Sequence, residues 1–194
     1  MKTFGSMKND YDIVNLKSLN SRLSEMFGGD KPLVINESVT LENLIVNGDF
    51  SDGLNHWHSM TDIVDGNPTG SFRFYQLTMD KITEGSTYYI RAKIKSTSNL
   101  INIGFNGETV EFSNYDHDWK EISLVTSNIG NGNLMFAGSQ GTTYEVDAEY
   151  GISLINLTQS FGAGKEPSKE QMDRLINYLG YFNGSKTVNI GRFI

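Results

Sequence analysis

From residue 55 to residue 157 the chain is cut into short strand-like runs, 55–64, 70–79, 86–95, 100–105, 108–112, 117–126, 132–137 and 142–157, separated by turn signals. That rhythm is the signature of an antiparallel sandwich rather than of alternating strands and helices. The clearest run is 88–95, where Tyr88, Ile90, Ala92 and Ile94 share one side and Tyr89, Arg91, Lys93 and Lys95 the other. Period-2 alternation of this kind predicts a strand with one face in the core and one in water. Glu84-Gly85, Asn106-Gly107 and Asn131-Gly132 fall where hairpin turns are needed. Twenty glycines and a charged fraction of only 20% agree with many tight turns. After Asp118, Trp119 and the pair Ile122 and Leu124 put apolar groups on opposite sides, which predicts a strand whose outer face is partly covered or used.

The two ends read differently. Ile13, Leu16, Asn20, Leu23 and Phe27 recur at alternating steps of three and four, the seam of a coiled coil, before Gly28-Gly29 and Pro32 stop the helix. Two heptads are too short to hold alone, so this seam is expected to join copies that are also held elsewhere, with Asn20 setting register. The alternative is one amphipathic helix lying on its own domain. Residues 33–46, LVINESVTLENLIV, are rich in β-branched residues and read as one or two strands. Near the other end, Ser168 and Gln171 form a capping-box pattern, and Met172, Leu175, Ile176 and Leu179 recur at helical spacing before Gly180. Residues 186–194 read as a final strand. The expected organisation is an anchoring and oligomerisation segment over 1–42 and a sandwich with its helix and last strand over 43–194.

A net charge of −7 with no run of Lys or Arg argues against nucleic acid, whose binding needs clustered cations. With no cysteine, the chain has no disulfide framework, thiol nucleophile or Cys-based zinc site. No segment is long and apolar enough to span a bilayer, and MKTFGSMKNDYD lacks the apolar stretch of a signal peptide. A protein of this kind that works outside a cell is expected to be released by lysis.

Two stretches carry a resemblance. LIVNGDFSDGLNHW (44–57) resembles the opening of jelly-roll carbohydrate-binding modules, and SFRFY, STYYIRAKIKS and HDWKEISLVTSN continue an ordered series of matches over about 43–157. YGISLINLTQSFGAGKEPSKEQMDRLINYLGYF (150–182), with its core LxNLTxxFGAGxEPxKEQMD, is similar to a segment that closes such domains in phage tail and baseplate proteins. Together they imply a mainly β, antiparallel jelly-roll sandwich with a short N-terminal helix and one short C-terminal helix. They also imply a virion appendage, a head fibre, tail fibre or baseplate component, assembled in the host cytoplasm. Such fibres are often homotrimers, so the partners implied are sister copies, other virion proteins through the N-terminal segment, and host cell-wall glycan. An architectural decoration without ligand, and the binding module of a cell-wall hydrolase complex, are the alternatives.

The same resemblance implies how a ligand would be held. Sugar rings are bound on aromatic faces with a few orienting polar groups, and the candidates are Trp57, Tyr75, Tyr89, Tyr115 and Trp119. Both tryptophans are expected in the core, whereas Tyr89 lies on the polar side of its strand and Tyr115 in a polar loop. Related modules place calcium on an acidic residue after N-G-D/N-F and on an Asp pair before the last strand. Ser51 and Tyr150-Gly151 stand there instead, which leaves Asp49, Asp52 and Asp147 as remaining oxygen ligands, so no cofactor is expected and a structural calcium is the one ion left open. His56, His58 and His117 are too few to specify a metal site. No catalytic set emerges: FGAGKEPS lacks P-loop spacing, and the acidic pairs Glu108 with Glu111 and Glu145 with Asp147 sit on ordinary strands. No enzymatic activity is expected.

Overall fold

A computed structural model of the chain describes residues 33–193 apart from 77, 106–107, 128–133 and 139–140. The seam of Ile13, Leu16, Asn20, Leu23 and Phe27 lies outside the described residues. The strands are β1 (Leu33–Asn43), β2 (His58–Val64), β3 (Asn67–Gln76), β4 (Tyr88–Ser96), β5 (Leu100–Phe105), β6 (Glu108–Ser113), β7 (Lys120–Thr126), β8 (Leu134–Ala137), β9 (Thr143–Val146), β10 (Ser153–Asn156) and β11 (Gly184–Phe193). Two helices, α1 (Leu157–Phe161) and α2 (Lys169–Leu179), lie between β10 and β11. The chain is mainly β and its described strand pairs are antiparallel.

Contacts divide the chain into a unit spanning Thr40–Lys186 and a smaller one of Met1–Val39 with Thr187–Ile194. In the smaller unit β1 neighbours β11, and the Ser38 hydroxyl donates to Asn189 Oδ1 at 2.7 Å. In the larger unit the sheet order is β1-β10-β4-β9-β3-β8-β5-β6, with β7 beside β4 and β2 beside β3. The short strand β9 has two neighbours: Thr143–Glu145 pair with β3, and Tyr144–Val146 with the end of β4. It therefore joins an arm built around β4 to an arm built around β3. Both arms feed one hydrophobic cluster, with Ile90, Ile94, Ile122 and Leu154 from the first and Phe74, Ile101, Ile103, Leu134 and Phe136 from the second. The sheet thus curls so that its inner faces meet. Phe74 stacks on Phe136 at 4.9 Å and meets Trp57 and Tyr144 edge-on. Each such buried side chain contributes roughly 1.5–3 kcal/mol through the hydrophobic effect.

The run 142–157 is two strands, not one. The Asp147 carboxylate accepts from the Tyr150 N–H at 3.0 Å, and Gly151 takes φ +65, so the chain turns between Val146 and Ser153. The C-terminal helix follows its capping box: Ser168 Oγ accepts from the Gln171 N–H, and Gln171 Oε1 from the Ser168 N–H at 2.8 Å. Met172, Leu175 and Ile176 are buried beneath it. The short helix α1 is capped by Asn156, whose Oδ1 accepts from the Gln159 N–H while its Nδ2 donates to the Tyr88 hydroxyl.

One face is not where alternation puts it. The outer side of β4 does not meet water at Tyr89 and Arg91, which are 1% and 4% exposed. Helix α2 covers them with a polar layer. The Tyr89 hydroxyl donates to Asp173 Oδ1 at 2.9 Å, Arg91 donates to Asn177 Oδ1 at 3.1 Å, and Lys169 bridges Asp173 and the Ser123 hydroxyl. Burial pushes the Asp173 carboxyl up, but hydrogen bonds from Lys169, Ser123 and Tyr89 outweigh it and hold the group below its ordinary 3.8. A carboxylate with a depressed folded pKa stabilises the fold above the unfolded value and loses that contribution as pH falls through the folded one. The melting temperature is therefore expected to drop as pH falls below about 3.8, and Asp173→Asn to flatten that acid limb. A melting series in pH on both proteins checks it; identical slopes would show that Asp173 does not couple α2 docking to protons.

Candidate functional site

The N-G-D-F element is a scaffold. Asn47 takes φ 55, and its side chain ties the loop: Nδ2 donates to the carbonyls of Gly53 and Asn55, and Oδ1 accepts from the Asp52 N–H at 2.8 Å. The Asn47 carbonyl in turn accepts from Trp57 Nε1 at 2.9 Å, and the Trp57 ring stacks on Phe50 at 5.2 Å. Trp57 is accordingly 7% exposed, a core residue rather than a ligand platform.

The carboxylates near that loop do not converge. Asp49 is met by the Asn183 side-chain N–H at 3.2 and 3.1 Å and by the Ser51 hydroxyl, while Asp147 pairs with Lys93 at 2.7 Å. Burial raises both groups, and these donors outweigh it and hold both below the ordinary aspartate value. A calcium ion needs six to eight oxygen acceptors. Here the carboxylates face donors, and among the described residues no three His, Cys, Asp or Glu side chains are grouped to hold a metal. Asp49 and Asp147, each already held by donors, therefore do not fit a calcium ion, and Asp52 makes no group of three with them. The acidic pair on β9 and its turn is matched by lysines, Glu145 by Lys95 at 3.2 Å and Asp147 by Lys93.

Of the aromatic candidates, Tyr89 is withdrawn beneath α2, and burial, followed by the neighbouring Asp173 charge, pushes its hydroxyl pKa far up. It offers no ring face to a ligand, because the polar side of its strand is met by the polar side of a helix. Tyr115 is 72% exposed in the turn after β6. Tyr75 sits on the outer face of the β3 arm, half-buried, with His58 of β2 stacked on its ring at 4.8 Å and the Arg73 guanidinium 6.0 Å from the ring centre.

Strand register extends that outer face. Arg73 pairs with Ala137, Ala137 with Asn102, and Asn102 with Glu111, while Tyr75 pairs with Met135 and Met135 with Gly104. Phe74, Phe136, Ile101 and Ile103 point the other way into the core. At about 4.8 Å per strand the row from Arg73 to Glu111 runs about 14 Å. Its middle is Ala137 and Asn102 and its ends are the charged Arg73 and Glu111, while the row beside it runs from Tyr75 through Met135 to Gly104. Asn102 Oδ1 in this row is shielded from solvent and has no hydrogen-bond partner, a condition that costs about 1–3 kcal/mol. The aromatic candidates singled out Tyr75 but missed its neighbours. Arg73 is two residues away on the same strand, so period-2 alternation alone puts it on Tyr75's side; His58, Asn102 and Glu111 needed the pairing register.

No family model matches the chain, and no curated protein matches it. Among solved structures, a chain described as "BiXyn10A CBM1 APO" is similar at 13% identity over 65% of this chain and 96% of its own length, with a TM-score of 0.36.

Proposed function

We propose that the chain is a non-catalytic structural appendage of a tailed-phage particle, whose sandwich displays the Arg73–Tyr75 face to host cell-surface glycan. The carrying observation is that outer face: an aromatic pair, Tyr75 on His58, beside a row that runs from Arg73 through Ala137 and Asn102 to Glu111. An aromatic ring takes the apolar side of a sugar, and side chains that both donate and accept orient its hydroxyls. The curl of the sheet at β9 supports the jelly-roll reading of the sandwich, and the resemblance of residues 150–182 to phage tail and baseplate proteins supports the virion.

In this reading the leading segment gathers three copies, and parallel display turns weak single-site affinity into firm adhesion. Light scattering on the full chain is expected to give a trimer; a monomer would remove the avidity argument. A glycan array probed with the full chain is expected to give binding that Tyr75→Ala weakens about tenfold or more, as for an anchoring aromatic. No signal on host-wall or surface glycans would leave an architectural decoration, and wall-lytic activity of the assembled particle that depends on this chain would favour the hydrolase-complex alternative.

A further inference from the structure

The opposite outer face carries a second aromatic cluster. On the β4 arm, the Tyr150 ring lies on the Arg91 guanidinium at 3.7 Å, and the Glu121 carboxylate is near enough to help raise the Tyr150 hydroxyl pKa, after burial as the main cause. Two residues along β4, the Lys93 ammonium stands 5.7 Å from the Trp119 ring centre and 2.7 Å from Asp147. Register puts Lys93 opposite Glu121 on β7. Trp119 and Tyr150 are both half-buried rather than in the core. Their anchor points, Arg91 and Lys93, are about 7 Å apart along the strand, close enough for one small ring to meet both.

We infer that this cluster is a second saccharide site, one that takes an uncharged sugar across Trp119 and Tyr150. The charges decide the class. Lys93 is neutralised by Asp147 and the neighbouring Lys95 by Glu145, while Arg91 is buried under the Tyr150 ring and donates to Asn177, so the patch presents no spare surface cation to draw an anionic ligand. Paired carboxylates keep lone pairs that accept from hydroxyls, and the lysine ammonium keeps hydrogens to donate. Aromatic surface with matched donors and acceptors and no net field fits a neutral polyhydroxylated ring. The two arms meet through their inner faces, so this site and the Tyr75 face look in opposite directions, and one sandwich can bridge two glycan chains. The inference rests on the glycan reading above only in taking the ligand to be a saccharide; its residues are separate.

The test uses the full chain with its tryptophan indoles followed by NMR, titrated with neutral tetrasaccharides of glucose, mannose, galactose and N-acetylglucosamine. At least one is expected to shift the Trp119 indole resonance. Trp119→Ala is expected to weaken that binding about tenfold, and Tyr75→Ala to leave the Trp119 response in place. Tyr150→Phe, which keeps the ring and removes the hydroxyl, gives a second measure with little demand on folding, and is expected to weaken binding by a smaller factor. No Trp119 shift with any of the four probes, a shift only with acidic oligosaccharides, or a Trp119 response abolished by Tyr75→Ala would each overturn the second site. Loss at the Tyr75 face with the Trp119 response intact would refute only the first.

Discussion

Gly48→Ala is expected to destabilise the fold by on the order of 3 kcal/mol, although it adds a single methyl group. A Cβ on Gly48 would stand 2.3 Å from the Ile152 carbonyl oxygen and 2.8 Å from the Tyr181 hydroxyl. The first neighbour is backbone, and it cannot swing aside. The two segments also hold each other directly, since the Ile152 N–H donates to the Gly48 carbonyl at 2.9 Å. Separating them to admit a methyl group would break that bond and lift the N-G-D-F loop off the start of β10. In a chain of this length about 3 kcal/mol corresponds to roughly 6–12 °C in melting temperature. A melting curve within two degrees of the parent would show that the close approach is not a constraint.

Asn43→Ala is the second large effect, and it acts through hydrogen bonds. Asn43 is buried at the end of β1, and its side chain serves four backbone groups: Nδ2 donates to the carbonyls of Ile152 and Phe182, and Oδ1 accepts from the N–H groups of Ile45 and Leu154. One amide thereby ties β1, β10 and the segment after α2. Truncation strands backbone donors and acceptors where water is scarce, and each buried orphan costs about 1–3 kcal/mol. Partial relaxation leaves an expected loss of about 3 kcal/mol, read as a lower denaturation midpoint at unchanged slope. Asn43→Asp separates the two halves of the effect, because a carboxylate still accepts from Ile45 and Leu154 but cannot donate to Ile152 and Phe182. It should therefore also be strongly destabilising, and a variant as stable as the parent would remove the donor half of the argument.

These two residues show what a sequence conceals. The alternation of β4 is plain in Tyr88, Ile90, Ala92 and Ile94, and the start of α2 in Ser168 and Gln171, because each signal is local and each partner lies within a few residues. The cover over Tyr89 and Arg91 is not plain. Polar side chains predict solvent, yet these meet polar residues on a helix more than 80 positions later, Asp173 and Asn177, and hydropathy cannot distinguish water from a matched polar partner. The N-G-D-F element is legible as a motif but not as a scaffold, since Asn47 bonds mainly to backbone, which every sequence contains. The break between β9 and β10 was missed for a similar reason: it depends on a side chain to backbone bond at Asp147 and on positive φ at Gly151. Helix α1, at five residues, is too short to show a period at all. Of the site, Tyr75 is legible only as one of five aromatic candidates, with Tyr89 and Tyr115 ahead of it on exposure; its neighbours across strands required register, which no local pattern supplies.

The claim that the outer face of the β3 arm binds glycan is tested most directly by mapping amide chemical shifts of the full chain against a saccharide that it retains on an array. The account predicts shifts at Arg73, Tyr75 and Asn102. Binding that leaves those three unmoved, with changes confined to the Asp49 and Asp147 loops or to Tyr115, would contradict it.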